Sequence, residues 1–144
     1  MEIPDNQVVS RVWQRVQQKP HSPEIPNLTP LLTTLRQETT LYQTLFKLTK
    51  NTVYQTLWKQ VNSHFACAKG MLRLAGMPEE AFTPLQPRRQ PLDAMLREAY
   101  RCALGRLTEY EKYTSDSTFG PVFHVLANET KTALRTLSEL CGML

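Results

Sequence analysis

Four ionisable residues, Glu38, His64, Glu109 and Glu129, fall on stripes of otherwise apolar residues that repeat with helical spacing. Burying such a side chain costs about several kcal/mol unless it is paired, neutralised or bound to a metal, so their recurrence on four stripes points to one shared polar centre. Glu38-x-x-x-Tyr42 and Glu109-x-x-x-Tyr113 each place a carboxylate and a phenol on one helix face. His64 with Cys67, and Glu129 with Thr132, are spaced i, i+3 and project together. As a ligand set, Glu38, His64, Cys67, Glu109 and Glu129 suit a single metal ion: the imidazole and thiolate favour zinc or iron(II), and the carboxylates are harder donors. The favoured reading needs no metal. Tyr42 and Tyr113 hydrogen-bond Glu38 or Glu129, a cationic His64 pairs with a carboxylate, and the small Cys67 and Thr132 fill the remaining space.

The elements that would position these residues are helices separated by proline. Pro20, Pro23, Pro26 and Pro30 mark one connector, and Pro78, Pro84, Pro87 and Pro91 a second. There is no alternating strand pattern and no Asn-Gly or Asp-Gly hairpin signal, so the class is all-α. The first long helix is expected from Pro30 to about Thr49, carrying Leu31, Leu35, Glu38, Tyr42 and Leu45. Lys50-Asn51 breaks it from a second helix that ends near Ala75, with Leu57, Val61, His64, Ala68 and Met71 inward and Gly76 as its stop. A third runs from about Leu92 to Thr114. Met95, Ala99, Cys102, Glu109 and Tyr113 form one candidate face; Leu96, Tyr100, Ala103, Leu107 and Tyr110 form a rival, and Glu98 is an alternative inward carboxylate. After a polar turn, Pro121 opens a fourth helix with Val122, Leu126, Glu129, Ala133, Leu137 and Leu140 inward. Residues 5 to 18 are expected to form a short amphipathic helix with Val9, Val12, Trp13 and Val16 on one face.

Short links make helices one and two, and three and four, antiparallel neighbours. The linker from 76 to 91 can extend roughly 50 Å against helices on the order of 35 Å long, so it can run the length of the bundle and give an up-down-down-up arrangement with one crossover. The division is therefore residues 1–30, an N-terminal segment and Pro-rich connector, and residues 31–144, the four-helix bundle.

With 144 residues the chain has seventeen Lys and Arg against thirteen Asp and Glu, a formal net charge of +4. The basic residues are spread along the chain, and that excess permits non-specific attraction to polyanions but implies no dedicated nucleic-acid groove. No window approaches the roughly 18 apolar residues of a membrane span, and no signal-peptide core opens the chain; a cytoplasmic location is expected. Three cysteines without a C-x-x-C fit reduced thiols. No nucleophile–base pair and no Gly-rich phosphate loop supports a hydrolase or kinase.

On these residues the chain resembles the ferritin-like superfamily, and within it the rubrerythrin-type bundles. The resemblance spans roughly residues 31 to 140 and rests on architecture and on the repeated helix-pair plan. It implies a two-iron centre using one Glu from each of helices one and three and a Glu-x-x-His from each of helices two and four. Glu38, Glu109 and Glu129 match; His64 stands at the second-helix Glu position, Cys67 at its His position and Thr132 at the fourth-helix His position. Loss of both imidazoles implies a degenerate site holding at most one Fe, Mn or Zn ion. The expected function is thus a non-catalytic structural or regulatory module, with a metal-dependent oxidoreductase as the alternative. Its partner would be a second copy or another protein, through helix faces or the N-terminal helix.

Overall fold

The computed structural model describes residues 28–77 and 90–142, which form four helices: α1 (Thr29–Thr49), α2 (Val53–Leu74), α3 (Leu92–Lys112) and α4 (Gly120–Gly142). There is no strand among the described residues. The expected N-terminal helix over 5–18 and most of the 76–91 strap lie outside them. No helix among the described residues is long and apolar enough to cross a membrane.

Local chemistry sets the boundaries. Pro30 lies in the first turn of α1, where a missing N–H costs nothing. The helix ends at Lys50, in the left-handed region at φ 59°, its N–H bonded to the Phe46 carbonyl at 2.8 Å. Asn51 then accepts from the Val53 N–H at 3.0 Å and starts α2. At the far end of α2, Gly76 takes φ 69°, and the Met77 N–H reaches back to the Leu72 carbonyl at 3.0 Å. This is the Schellman arrangement that glycine favours. Between α3 and α4, Asp116 Oδ2 accepts from the Thr118 and Phe119 N–H groups at 3.0 and 2.7 Å. Gly120 passes so close to the Thr114 carbonyl that a Cβ there would lie 2.5 Å from its oxygen.

Two tightly packed hairpins result, α1 with α2 and α3 with α4; α1 also packs along α3, whereas α2 and α4 touch only briefly. Apolar side chains from all four helices close the core, among them Leu35 and Leu45 of α1, Val61 and Met71 of α2, Met95 and Ala99 of α3, and Leu126 and Leu137 of α4. On α3 the buried residues are Met95, Leu96, Ala99, Cys102, Ala103, Arg106 and Tyr110, so neither expected face is realised whole.

Candidate functional site

Each helix delivers polar side chains to the middle of this core: Glu38 and Tyr42 from α1, Gln60 and His64 from α2, Arg106 and Tyr110 from α3, Glu129 and Thr130 from α4. Arg106 is their hub. Its side chain is fully buried, and all five of its N–H donors are used. Nε donates to Glu38 Oε1 at 2.8 Å and Nη2 to Glu38 Oε2 at 3.0 Å, a two-pronged ion pair between α3 and α1. The second Nη2 proton goes to Gln60 Oε1 at 3.2 Å. Nη1 donates to His64 Nδ1 at 2.9 Å and to Thr130 Oγ1 at 3.0 Å. Thr130 passes its own proton to the Leu126 carbonyl at 2.7 Å.

The outer contacts close the network. Tyr42 donates to Glu38 Oε2 at 2.5 Å, and Tyr110 to His64 Nδ1 at 3.0 Å. Because an arginine N–H can only donate, His64 Nδ1 must accept, which puts the ring proton on Nε2. That proton goes to Glu129 Oε1 at 2.7 Å. Gln60 Nε2 donates to the Glu129 backbone carbonyl at 3.2 Å, so α2 and α4, otherwise barely in contact, are joined by polar groups.

Burial and this permanent cation set the protonation states. Burial, then the adjacent Arg106 charge, lowers the His64 pKa well below its usual value, so the ring is neutral. Burial lowers the Arg106 pKa, but Glu38, with Tyr110 and Tyr42, more than reverses this and holds the guanidinium charged. Burial raises Tyr42, reinforced by Glu38, and likewise raises Tyr110. The Cys67 thiol is pushed up to about 12 by burial and by Glu129, and Cys102 to about 12 by burial and by Glu38. Both are therefore inert thiols at neutral pH. Burial raises Glu129 to about 7 against the opposing pull of Arg106, and its Oε2 is buried with no hydrogen-bond partner among the described residues.

Glu38, His64 and Glu129 thus come together, with Tyr42 and Cys67 beside them, but the other candidates do not. Glu109 lies outside the core, paired at 2.9 Å with Lys112 on its own helix. Tyr113 packs its ring on Phe123 with centroids 5.3 Å apart, at the edge of the bundle. Thr132 is exposed, and Thr130 takes the inward position on α4. Glu98 sits at the α1–α3 margin, accepting from Gln37 Nε2 at 2.6 Å. The physical reason on α3 is register: inward positions fall at 95, 99, 102 and 106, a four-three-four progression that then closes on Tyr110 and turns Glu109 outward. A signal for Arg106 was present. It is seven residues after Ala99 and four after Cys102, on the same stripe, but an arginine is ordinarily read as a surface charge.

The residues present do not fit a metal ion. Both Glu38 oxygens are committed to Arg106, His64 Nδ1 is occupied by it, and Nε2 carries a proton. A dication within about 4 Å of the guanidinium would also meet repulsion on the order of 8 kcal/mol at an effective dielectric of about 20. Among the described residues no group of three or more His, Cys, Asp or Glu is arranged to hold a metal. Comparison with known proteins returns no match to any family model, curated protein or solved structure.

Proposed function

We propose that the chain is a ferritin-like bundle whose centre is held by its own arginine where related bundles hold metal, and that it acts as a non-catalytic structural or regulatory binding module. The up-down-down-up order is supported by three contacts of direction. The short links make α1 antiparallel to α2 and α3 antiparallel to α4. His64 with Glu129 joins the middle of α2 to the middle of α4, and the electrostatic influence of Cys141 on Tyr54 puts the start of α2 near the end of α4, which supports opposite senses for these two. A crossover after α2 is the arrangement that these three relations support.

The observation that carries the functional reading is the complete use of the Arg106 donors by Glu38, Gln60, His64 and Thr130. A centre in which the charge balances and the donors are spent has no open position for a reacting molecule, and its value is to tie four helices into one arrangement. One observation favours the alternative, a metal-binding oxidoreductase of rubrerythrin type: the unpartnered Glu129 Oε2 beside Cys67 would suit an iron, manganese or zinc ion if Arg106 withdrew. Titration of chelator-treated protein with cobalt(II), followed by d–d absorbance, separates the two. The module reading expects no stoichiometric band with the natural chain. One or two equivalents bound tightly, with the band lost in Glu38→Ala, would establish the alternative.

A further inference from the structure

The same ion pair that fills the centre changes what the surface of the first hairpin presents. Residues 28–77 contain six Lys or Arg and a single carboxylate, Glu38. Glu38 is wholly buried and neutralised by Arg106 from the other hairpin, so the outer surface of α1 and α2 carries cations and no carboxylate. Among the described residues, Arg36, Lys47, Lys50, Lys59 and Lys69 have no carboxylate within ion-pair distance. Residues 90–142 differ: six Lys or Arg are interleaved with seven carboxylates, and Arg97–Asp93 and Lys112–Glu109 pair on the surface.

The cations lie in two stripes. Arg36, Thr40, Gln43 and Lys47 step by four, three and four along α1, and Lys59, Asn62, Ala66 and Lys69 by three, four and three along α2. Both spacings keep a set on one helix face. The stripes adjoin at Phe65, where the Arg36 guanidinium lies 4.3 Å and the Lys69 ammonium 5.6 Å from the ring centroid. The ring holds two like charges close together, an arrangement that costs Coulomb energy until an anion arrives.

We infer that this face of the α1–α2 hairpin binds the phosphate backbone of duplex nucleic acid without reading its sequence. Arg36 to Lys47 spans about 16 Å at 1.5 Å per residue, or roughly four to five base-pair steps along a duplex. Between the cations stand the exposed amides of Gln43 and Asn62, neutral groups of the kind that bond phosphate and sugar oxygens. Ala66, exposed on the second stripe, adds only a methyl group, which leaves a nucleic-acid backbone free to approach α2 closely. A membrane surface would require apolar residues to insert, and an acidic protein would require an apolar contact core. The residues between the cations along these stripes, Thr40, Gln43, Asn62 and Ala66, offer no large apolar side chain; the Phe65 ring is covered by its two cations, and Leu48, exposed beside Lys47, is a single apolar residue. The inference rests on the reading of the chain as a binding module, but not on the metal-free centre.

The test is fluorescence anisotropy of a fluorescein-labelled 20-base-pair duplex of mixed sequence with the full chain. Saturable binding is expected at about 50 mM KCl. With about four phosphate contacts it should weaken roughly a hundredfold by 200 mM, and an unlabelled duplex of unrelated sequence should compete equally. R36E/K69E and K47E/K59E should each weaken binding about tenfold or more, whereas R101E/R135E on the second hairpin should change it less than about threefold; circular dichroism melts check that each variant is folded. Absence of saturable binding at 50 mM KCl overturns the inference, as does an equal loss in R101E/R135E. Capture by phosphatidylserine vesicles without duplex binding overturns it in favour of a membrane. Stoichiometric cobalt binding alongside intact duplex binding would remove the metal-free reading of the centre and leave this one standing.

Discussion

The two hairpins follow one plan and fill it with opposite charges. In the first, α1 sends in Glu38 with Tyr42 four residues later; in the second, α3 sends in Arg106 with Tyr110 four residues later. Carboxylate answers guanidinium across the α1–α3 seam at 2.8 Å, and imidazole answers carboxylate across α2–α4 at 2.7 Å. In a metal-binding bundle both hairpins would present carboxylates and a cation would come from solution. Here the cation is covalently part of one hairpin, and its partner is fixed on the other.

That comparison is broken most severely by Arg106→Met. The change leaves Glu38 as a buried carboxylate whose remaining side-chain partner is Tyr42, and removal of one member of a buried pair costs about 3–5 kcal/mol. Urea unfolding should register that loss. Replacing both, Glu38→Leu with Arg106→Met, should cost less than the single change, because no unpaired charge remains. A double replacement that costs as much as the two singles added would show that the pair is not what couples the hairpins.

The turns differ as well, and Gly120→Ala gives the next largest effect. An added Cβ would sit 2.5 Å from the backbone oxygen of Thr114, which no side-chain rotation relieves. A loss of about 2 kcal/mol is expected from the forced backbone shift. Lys50, the corresponding residue of the first turn, occupies φ 59°, where glycine is easier to accommodate. Lys50→Gly should therefore be near neutral, and the ordering of the two melting temperatures reads the contrast directly.

Most of the helical framework was legible because proline, glycine and 3.6-residue periodicity act locally. The second connector was expected to release α3 at Leu92, and it does; Gly76 was expected to stop α2, and it follows Leu74 by two residues. Three of the four stripe ionisables, Glu38, His64 and Glu129, reach the centre. The failures were on α3, where two overlapping faces compete and only contacts with α1 and α4 select the register. Periodicity places Glu109 on the stripe of Met95, Ala99, Cys102 and Tyr113 and so predicts it inward. Nothing in composition distinguishes an arginine that will find a buried carboxylate on another helix from one that stays in water.

The α2–α4 side is distinguished by pH. Glu129 titrates at about 7 in the folded state and near 4.5 when unfolded, so the folded chain binds the proton more tightly. Stability from this group is full at low pH and is lost as pH rises from about 4.5 through 7. His64 works in the opposite sense: its depressed folded pKa removes stability as pH falls below about 6.5. Glu129→Gln isolates the carboxyl, because the amide mimics its protonated form. The variant should match the natural chain near pH 5 and exceed it at pH 8 by about 1–2 kcal/mol, after discounting the shift for solvent screening. A constant offset across that range would place the Glu129 titration elsewhere.

The smallest expected effect gives the sharpest contrast between the hairpins, because it uses the same motif twice. Glu38-x-x-x-Tyr42 and Glu109-x-x-x-Tyr113 share one spacing, yet one carboxylate is fully buried and the other has 39 % of its side chain exposed. Glu109 interacts with Lys112 one turn away, and an exposed i, i+3 pair contributes roughly 0.3–0.5 kcal/mol at most. Glu109→Ala should therefore change unfolding free energy by less than about 0.5 kcal/mol, and raising salt should erase the difference. Glu38→Ala, by contrast, strands the Arg106 charge in the core and should cost about 3–5 kcal/mol independently of salt. A salt-insensitive loss in Glu109→Ala comparable to that in Glu38→Ala would mean that α3 can rotate its second carboxylate inward, and that the bundle has a register in which Glu109 replaces Arg106 at the centre.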